Sequence, residues 1–196
     1  MTKDNSKLSR RAFAASAAAF TLSAPSILRA QEGANAEIAD GTVDIRTNTY
    51  VTRSWDGYFN SLRNGAILVD TRARALHFWP EDGSMHLIYP VSVPLTPEMT
   101  RLGRTSVVQK KVGPDWRPTP SMLVRNPDYP PYIGPGPENP LGTHALYLGW
   151  QYYRIHGTND TRKIGRQSSN GCIGLYNEQI EELFGFVDVG AQVLLI

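Results

Sequence analysis

Cysteine is the residue that this sequence almost lacks, since Cys172 is the only one among 196 residues. A lone cysteine excludes an internal disulfide and a metal site built from several thiolates. The four histidines, at positions 77, 86, 144 and 156, show no spacing that would complete a zinc site with it. The sequence therefore predicts no metal centre, and Cys172 is either a packed core residue or a reactive thiol.

Blocks of basic residues and long apolar runs are also missing. Beyond the first 36 residues, acidic and basic side chains are nearly balanced, with no basic stripe of the kind that binds nucleic acid. The most apolar stretch, residues 12–28, is rich in alanine and interrupted by Pro25, too short and too weakly apolar for a comfortable membrane span. We expect no nucleic-acid partner and no stable membrane span in the mature chain.

Residues 1–36 are typical of an export signal. A basic start precedes the alanine-rich run, Arg10-Arg11 forms a twin-arginine pattern, and small residues offer cleavage points after Ala30 or Ala36. An amphipathic or disordered tail is the alternative. We expect a twin-arginine signal peptide, and a mature protein that works in an oxidising compartment outside the cytoplasm.

The remaining chain, roughly 160 residues long, fits one domain. We expect residues 37–64 to form an extension with a short helix capped by Ser54, and residues 65–196 to form a single β-rich domain. Alternating or apolar runs predict strands, and Asn177 is expected to cap a helix over NEQIEELFGFV. The predicted strands are AILVD, ALHFW, MHLIYPVSV, RTSVVQKKV, two within HALYLGWQYYRIHG, and AQVLLI.

The segment from Pro114 to Pro140, hereafter the proline-rich segment, holds nine prolines in 27 residues. So many fixed φ angles and missing N–H donors exclude a regular helix or a central strand there. It is expected to be either a lid or wall of a binding site, or a surface connection. His77 and His86 are expected at the surface, and Trp150 in the core.

Cys172 and His156 are candidates for a nucleophile and its base. Cys172 follows the turn sequence SSNG, in which Gly171 can adopt positive φ, and His156 ends an aromatic strand. Both side chains could lie at one rim of a sheet, where an imidazolium would depress the pKa of the thiol. Backbone N–H groups of such a turn can converge on one point, as an oxyanion hole requires.

Several motifs in this order resemble the L,D-transpeptidase catalytic (YkuD) domain, and more narrowly the periplasmic members from Gram-negative bacteria. They are KKVGPDWRPTPSM, GPGPENPLG, NPLGTHALYLG, IHGTND and SSNGCI, and the resemblance runs from about residue 65 to the end of the chain. It implies a mostly β fold with short helices, a β-sandwich or barrel with the cysteine in a groove. It also implies a periplasmic location, no cofactor, and acylation of the cysteine by carbapenem-type β-lactams.

The resemblance assigns roles to individual residues. Cys172 would be the nucleophile, His156 the base, and the Gly157 carbonyl would orient the imidazole ring. Ser169 would support the turn, and the N–H groups of Gly171 and Cys172 would stabilise the oxyanion.

Two positions depart from the family pattern. Asn170 replaces a frequent histidine, and Gly174 replaces an arginine that many members carry two residues after the cysteine. A glycine cannot supply the bidentate contact of a guanidinium, so Arg154, Arg166 or Arg104 would have to substitute for it. Asn170, Arg154, Arg166 and Trp116 are thus the candidate substrate-binding residues.

The expected reaction is acyl transfer on peptidoglycan stem peptides. The thiolate would attack a tetrapeptide stem, release the terminal D-Ala, and pass the acyl group to an amine of another stem or of an envelope protein. One alternative is a hydrolase on the same scaffold, in which water replaces the amine. The other is a non-catalytic peptidoglycan-binding module with a decayed site.

Overall fold

The structure is a computed structural model that describes residues 52–196, where ten β-strands and two short α-helices occur. The predicted signal peptide and the extension as far as residue 51 lie outside the described residues. The strands are β1 (Ala66–Asp70), β2 (Ala75–Trp79), β3 (Leu87–Pro90), β4 (Val93–Pro94), β5 (Gly103–Val112), β6 (His144–Leu148), β7 (Arg154–His156), β8 (Gln167–Ser169), β9 (Ile173–Gly174) and β10 (Gln192–Leu195), and the helices are α1 (Pro120–Arg125) and α2 (Asn177–Phe186).

Eight of the strands form one mixed sheet in the order β3-β2-β1-β10-β5-β6-β7-β9. Within it, the pairs β1–β10 and β7–β9 are parallel, and the other neighbours are antiparallel. Strands β4 and β8 form a separate parallel pair. The predicted strands over AILVD, ALHFW and AQVLLI are confirmed, and the HALYLGWQYYRIHG stretch forms the β6–β7 hairpin.

The two edges of the large sheet are joined by a backbone bridge. Ser92, just beyond the edge strand β3, donates its N–H to the Gly174 carbonyl (2.8 Å) and accepts from the Gly174 N–H (3.1 Å). Gly174 belongs to β9, the opposite edge. A sheet whose edges meet curls into a barrel-like form, which agrees with the expected mostly β fold.

Apolar side chains fill both faces of the sheet centre, and every residue of β1 and β2 is buried. On one face, Ile180, Leu183 and Val187 of the α2 region complete the main core, as predicted. On the other face, Phe59 and Leu62 pack with Trp79. The helix predicted from Ser54 is only a 3-10 turn over Trp55–Gly57, because the following aromatic residues turn towards the sheet to pack.

The proline-rich segment contains the helix α1, so the expectation that it excludes a regular helix is wrong for these six residues. Pro120 is the first helical residue, where a missing N–H removes no helix bond, and the Thr119 hydroxyl accepts from the Met122 N–H. The helix ends at Arg125, two residues before Pro127. Within residues 52–196, neither helix is long and apolar enough to cross a membrane.

Asn139 organises the rest of the proline-rich segment. It is fully buried, and its amide nitrogen donates to the carbonyls of Pro114 (2.8 Å), Ile133 (3.2 Å) and Gly134 (2.9 Å). Its amide oxygen accepts from the Leu141 N–H at 2.8 Å. One side chain thus supplies the hydrogen bonds that a segment poor in N–H donors cannot supply itself.

His77 is buried rather than at the surface, which corrects the expectation from sequence. Only 1% of it is exposed, because its ring stacks on Trp79 and its Nδ1 lies 3.0 Å from Nε2 of His86. Burial is the main cause that lowers the pKa of His77 to about 4.

Removing the Asn139 amide is expected to loosen the proline-rich segment. Asn139→Ala leaves the Leu141 N–H and the carbonyls of Pro114 and Gly134 without their partner, whereas the Ile133 carbonyl still accepts from the Trp116 N–H, and each buried unsatisfied group costs about 1–3 kcal/mol. We expect the free energy of unfolding to fall by about 2–4 kcal/mol in denaturant titrations. Proteases should then cut within the segment faster.

The matched control is Asn126→Ala in the same segment, since Asn126 is exposed and its side chain accepts one hydrogen bond, from the Asp128 N–H. Stability should change by less than about 0.5 kcal/mol. Equal effects of the two substitutions would show that Asn139 has no special part in holding the segment.

Candidate active site

The parallel pairing of β7 with β9 brings the candidate nucleophile and base together. Ile155 pairs with Ile173, and both side chains are buried in the core. Because side chains alternate along a strand, Arg154 and His156 on β7 and Cys172 before β9 point to the other side. There they line one cavity of about 660 Å³.

The turn before Cys172 is held by Ser169. The Ser169 hydroxyl donates to the Cys172 carbonyl and accepts from the Gly171 N–H at 3.3 Å. Gly171 has a φ of 129°, so the predicted positive φ is confirmed. Such a backbone strongly favours glycine, which fixes where the chain can reverse before the thiol.

The thiol of Cys172 is half-buried, and its S–H donates to the Tyr152 carbonyl at 3.3 Å. Burial raises the pKa of this thiol above its ordinary value, because the thiolate loses hydration. The positive charge of Arg154 opposes this increase and lowers the pKa, as do hydrogen bonds from its backbone and side chain. Arg154 is thus the cation that would stabilise a thiolate at this position.

His156 has its tautomer set by a backbone carbonyl. Its Nδ1 makes a short hydrogen bond to the Gly157 carbonyl. Since a carbonyl can only accept, Nδ1 carries the proton and Nε2 is left as the basic nitrogen. Burial lowers the pKa of His156 to about 4, although the Gly157 bond acts in the opposite direction.

Thiol and imidazole are therefore both neutral at pH 7. The sequence suggested a thiolate next to an imidazolium, but desolvation disfavours both charged forms here. The resting site is a neutral pair, in which the proton leaves sulfur only when a base accepts it.

The proline-rich segment forms one wall of the cavity. Trp116 and Met122 belong to a small apolar cluster of this segment and also line the cavity. The Arg125 guanidinium donates to the Asn170 side-chain oxygen at 3.0 Å, which ties this wall to the turn that carries the cysteine. Of the two expected arrangements, the structure shows a wall of the cavity.

The predicted cations differ in where they lie. Arg154 lines the cavity, whereas the exposed Arg166 does not, and Arg104 donates to the Tyr58 carbonyl and is also absent from the cavity lining. Sequence reasoning missed three basic residues on the cavity lining. They are Arg117, Arg125 and Lys163. Two of them fall in the proline-rich segment, so assigning that segment as a wall would have pointed to them.

The side chain of Ser92 lies directly against Gly174. A Cβ atom on Gly174 would overlap the Ser92 hydroxyl, and it would lie 3.9 Å from Cε1 of His156. The two backbone bonds between Ser92 and Gly174 prevent the strands from moving apart. The Ser92 side chain thus occupies the space beside the imidazole that a larger residue at 174 would need.

No group of three or more histidine, cysteine or acidic side chains capable of holding a metal ion occurs in residues 52–196.

Comparison with known proteins assigns the family. The model of a family described as the L,D-transpeptidase catalytic domain (YkuD) matches residues 64–195. The chain belongs to this family. Its members are cysteine-dependent acyltransferases, which agrees with the one cysteine of the chain lining the same cavity as a histidine.

Curated relatives carry the same family name. A Fuscovulum blasticum protein, named as an L,D-transpeptidase in the ATP synthase subunits region, is 49% identical over 182 residues, or 93% of this chain and 92% of that protein. The Escherichia coli proteins ErfK/SrfK and YbiS, named as L,D-transpeptidases, are each 35% identical over 70% and 66% of this chain. The matches span only 45% and 44% of those two proteins.

Solved structures share the fold. An L,D-transpeptidase from Mycobacterium smegmatis superposes with a TM-score of 0.53 at 17% identity, over 68% of this chain and 58% of that one. L,D-transpeptidase 3 from Mycobacterium tuberculosis, in complex with a faropenem-derived adduct, gives 0.52 at 19% identity over 67% and 60%. The expected fold class is confirmed.

Removing the Arg154 charge is expected to slow alkylation of the thiol. Because burial raises the pKa of Cys172, iodoacetamide should react ever faster as the pH rises from 7 past 9. Arg154→Met removes a charge that lowers this pKa, so the alkylation rate at pH 8 should fall roughly three- to tenfold. Intact mass against time measures the rate.

Arg166→Met is the matched control, because Arg166 is exposed and lies outside the cavity. It should leave the pH dependence of alkylation unchanged. If Arg154→Met gives the same rates as the unmodified protein between pH 7 and 10, Arg154 does not act on the thiol.

Proposed function

We propose that the protein transfers the acyl group of a peptidoglycan tetrapeptide stem, through a thioester on Cys172, to an amine acceptor. The acceptor is a neighbouring stem, giving a 3-3 cross-link, or an envelope protein. The observation that carries the proposal is the pairing of Ile155 with Ile173, which directs His156 and Cys172 into one cavity. Membership of the L,D-transpeptidase family supplies the reaction class.

Each group at the site has one task in this proposal. Cys172 is the nucleophile, Nε2 of His156 is the base, and the Gly157 carbonyl holds the ring in the required tautomer. Ser169 supports the turn. The N–H groups of Cys172 and Gly171 stabilise the oxyanion, and the long 3.3 Å bond from Gly171 to Ser169 is the weaker contact that substrate displaces.

The proton passes between sulfur and imidazole in both steps. As the sulfur of Cys172 attacks the carbonyl carbon of the diaminopimelate residue, Nε2 of His156 takes the thiol proton. The tetrahedral intermediate collapses, the C–N bond to the terminal D-Ala breaks, and Nε2 gives the proton to the leaving amine. The acceptor amine then attacks the thioester and yields a proton through His156 to the departing sulfur.

The charge of the cavity fits a substrate rich in carboxylates. Arg117, Arg125, Arg154 and Lys163 line it, with Glu98 as the one acidic residue on the lining within the described chain. A tetrapeptide stem ending in D-Ala presents a terminal carboxylate, which such cations attract. We assign Asn170 and Trp116 to the substrate walls, because both line the cavity, and no cofactor is required.

The place of action follows from the substrate. Peptidoglycan lies outside the cytoplasm, and the twin-arginine pattern at Arg10-Arg11 would deliver a folded protein there. We therefore place the mature chain in the periplasm. The same cysteine chemistry would accept carbapenem-type β-lactams as acylating agents.

The decisive experiment follows acylation and product together. Purified protein incubated with tetrapeptide-bearing muropeptides should gain the mass of the acyl group at Cys172, and cross-linked dimers should accumulate. Cys172→Ser is the matched control, because a hydroxyl of similar size lacks the nucleophilicity of the thiol. It should keep the fold and form neither adduct nor dimer.

Tripeptide as the sole product would favour the hydrolase, in which water takes the place of the amine. A protein that gains no mass and forms no product would contradict both enzymatic readings. The remaining alternative would then be a non-catalytic peptidoglycan-binding module. Retention of the protein on peptidoglycan sacculi would test it.

Introducing an arginine at position 174 is expected to destabilise the protein and slow acylation unless Ser92 is also changed. Gly174→Arg forces the Ser92 hydroxyl out of its present position and crowds the imidazole of His156, and overpacking typically costs about 1–3 kcal/mol. We expect a lower melting temperature and slower acylation of Cys172. Combining it with Ser92→Gly opens the space, so melting temperature and acylation rate should partly recover.

Ser92→Gly alone is the control that isolates the loss of the hydroxyl. If the arginine is tolerated equally well with and without Ser92, the hydroxyl does not set which residue position 174 accepts. Comparison of donor muropeptides for the double variant then measures whether the added guanidinium alters substrate choice.

A further inference from the structure

We propose that Asn177 is a positioning residue for the reaction, which holds the tautomer and orientation of His156 through one peptide group. The inference rests on the proposed function, in which Nε2 of His156 is the base. It concerns a residue that sequence reasoning treated as a helix cap.

The side chain of Asn177 forms hydrogen bonds with two loops, one of which directly follows His156. Its amide oxygen accepts from the Thr158 N–H (3.1 Å) and the Thr143 N–H (3.2 Å). Its amide nitrogen donates to the Thr158 carbonyl at 3.0 Å. Both acceptor sites of the oxygen and one of the two N–H donors are therefore used.

The Thr158 N–H belongs to the same peptide group as the Gly157 carbonyl. A peptide group is planar and trans, so fixing the direction of its N–H fixes the direction of its carbonyl. That carbonyl accepts the hydrogen bond from Nδ1 of His156. The result is a continuous chain of hydrogen bonds from Asn177, through the Gly157–Thr158 peptide, to the imidazole.

Hydrogen bonds in such a chain polarise one another. The bond from the Thr158 N–H to Asn177 draws electron density towards the Gly157 oxygen, which becomes a better acceptor for Nδ1–H. Asn177 thus acts on His156 as an orienting side chain would, although a peptide group stands between them.

Two glycines make room for this arrangement. A Cβ on Gly157 or on Gly142 would overlap the amide oxygen of Asn177. Gly142 also has a φ of 62°, whereas Gly157 is not in the left-handed region, so space alone requires a glycine at 157. The absence of a side chain at Gly157 therefore gives the amide oxygen of Asn177 the space it occupies.

The start of α2 shows that Asn177 does not serve the helix. Asparagine is among the best residues for capping a helix N-terminus, but here the cap position is Tyr176, with no side-chain hydrogen bond. Asn177 is the first helical residue, and its side chain turns to Thr143 and Thr158 instead. The predicted capping role is wrong, and the contacts at the histidine replace it.

The test reads the tautomer of His156 directly. In the 15N-labelled protein at pH 7, long-range proton–nitrogen correlation should show His156 as the Nδ1–H tautomer, with the signal identified by its loss in His156→Gln. In Asn177→Ala, both tautomers should appear. The kcat for acylation by muropeptide should fall about ten- to a hundredfold with little change in KM, as for other residues that orient a working histidine.

Asn177→Asp keeps an acceptor oxygen for the Thr143 and Thr158 N–H groups, loses the amide donor to the Thr158 carbonyl, and adds a negative charge near the histidine. It should retain the Nδ1–H tautomer and raise the pKa of His156, because a nearby anion favours the imidazolium. This variant keeps the proposal testable if Asn177→Ala does not fold. Loss of the single Nδ1–H tautomer in Asn177→Asp, which keeps an acceptor for the Thr158 N–H, would overturn the proposal.

Tyr89→Phe is the matched control for loss of stability. It cuts the 2.9 Å bond from Tyr89 to Glu182, which ties α2 to β3 away from the histidine. It should leave the Nδ1–H tautomer of His156 unchanged, and its kcat for acylation should equal that of the parent protein.

A single Nδ1–H tautomer in Asn177→Ala would overturn the proposal, whatever the activity of that variant. An inactive parent protein that shows the expected tautomers would count against the proposed function alone.

Discussion

The parallel pairing of β7 with β9 is the contact on which the site depends. Ile155 and Ile173 anchor this pair in the core, and the alternation of side chains then leaves His156 and Cys172 no direction but the cavity. A shift of one residue in this register would send the nucleophile into the core and an isoleucine to the substrate. The hydrophobic core therefore decides the chemistry, because it fixes the register.

Closure of the sheet places Cys172 and His156 in a poorly hydrated environment. The bridge between Ser92 and Gly174 brings a strand edge against the imidazole, and burial keeps both thiol and histidine neutral. Arg154 lowers the pKa of the Cys172 thiol, and the hydrogen bond to the Gly157 carbonyl raises the pKa of His156. Each therefore opposes the effect of burial. Proton transfer from Cys172 to His156 is therefore expected to accompany attack on the substrate, because water is no longer present to stabilise the separated charges.

Local patterns in the sequence predicted the strands and the turn, because those depend on neighbouring residues. β1 and β2 follow from their apolar runs, and the positive φ of Gly171 follows from the SSNG turn. The resemblance in motifs pointed to Cys172 and His156. Partners distant in the chain were missed: no local pattern links Ser92 to Gly174, or Asn177 to Thr158. The burial of His77 was missed because both neighbouring strands and the stacked rings of Trp79 and His86 cover it, which alternation within its own strand does not reveal.

The proline-rich segment carries its own apolar cluster and its own hydrogen-bond centre in Asn139, whereas the reacting groups belong to the sheet. Apart from the hydrogen bond between Arg125 and Asn170, the two parts are thus held by different contacts. Substitutions along this wall can alter which stem peptide is admitted without disturbing the register that delivers the nucleophile. Such a division would let the substrate preference of this site change while its catalytic residues stay in place.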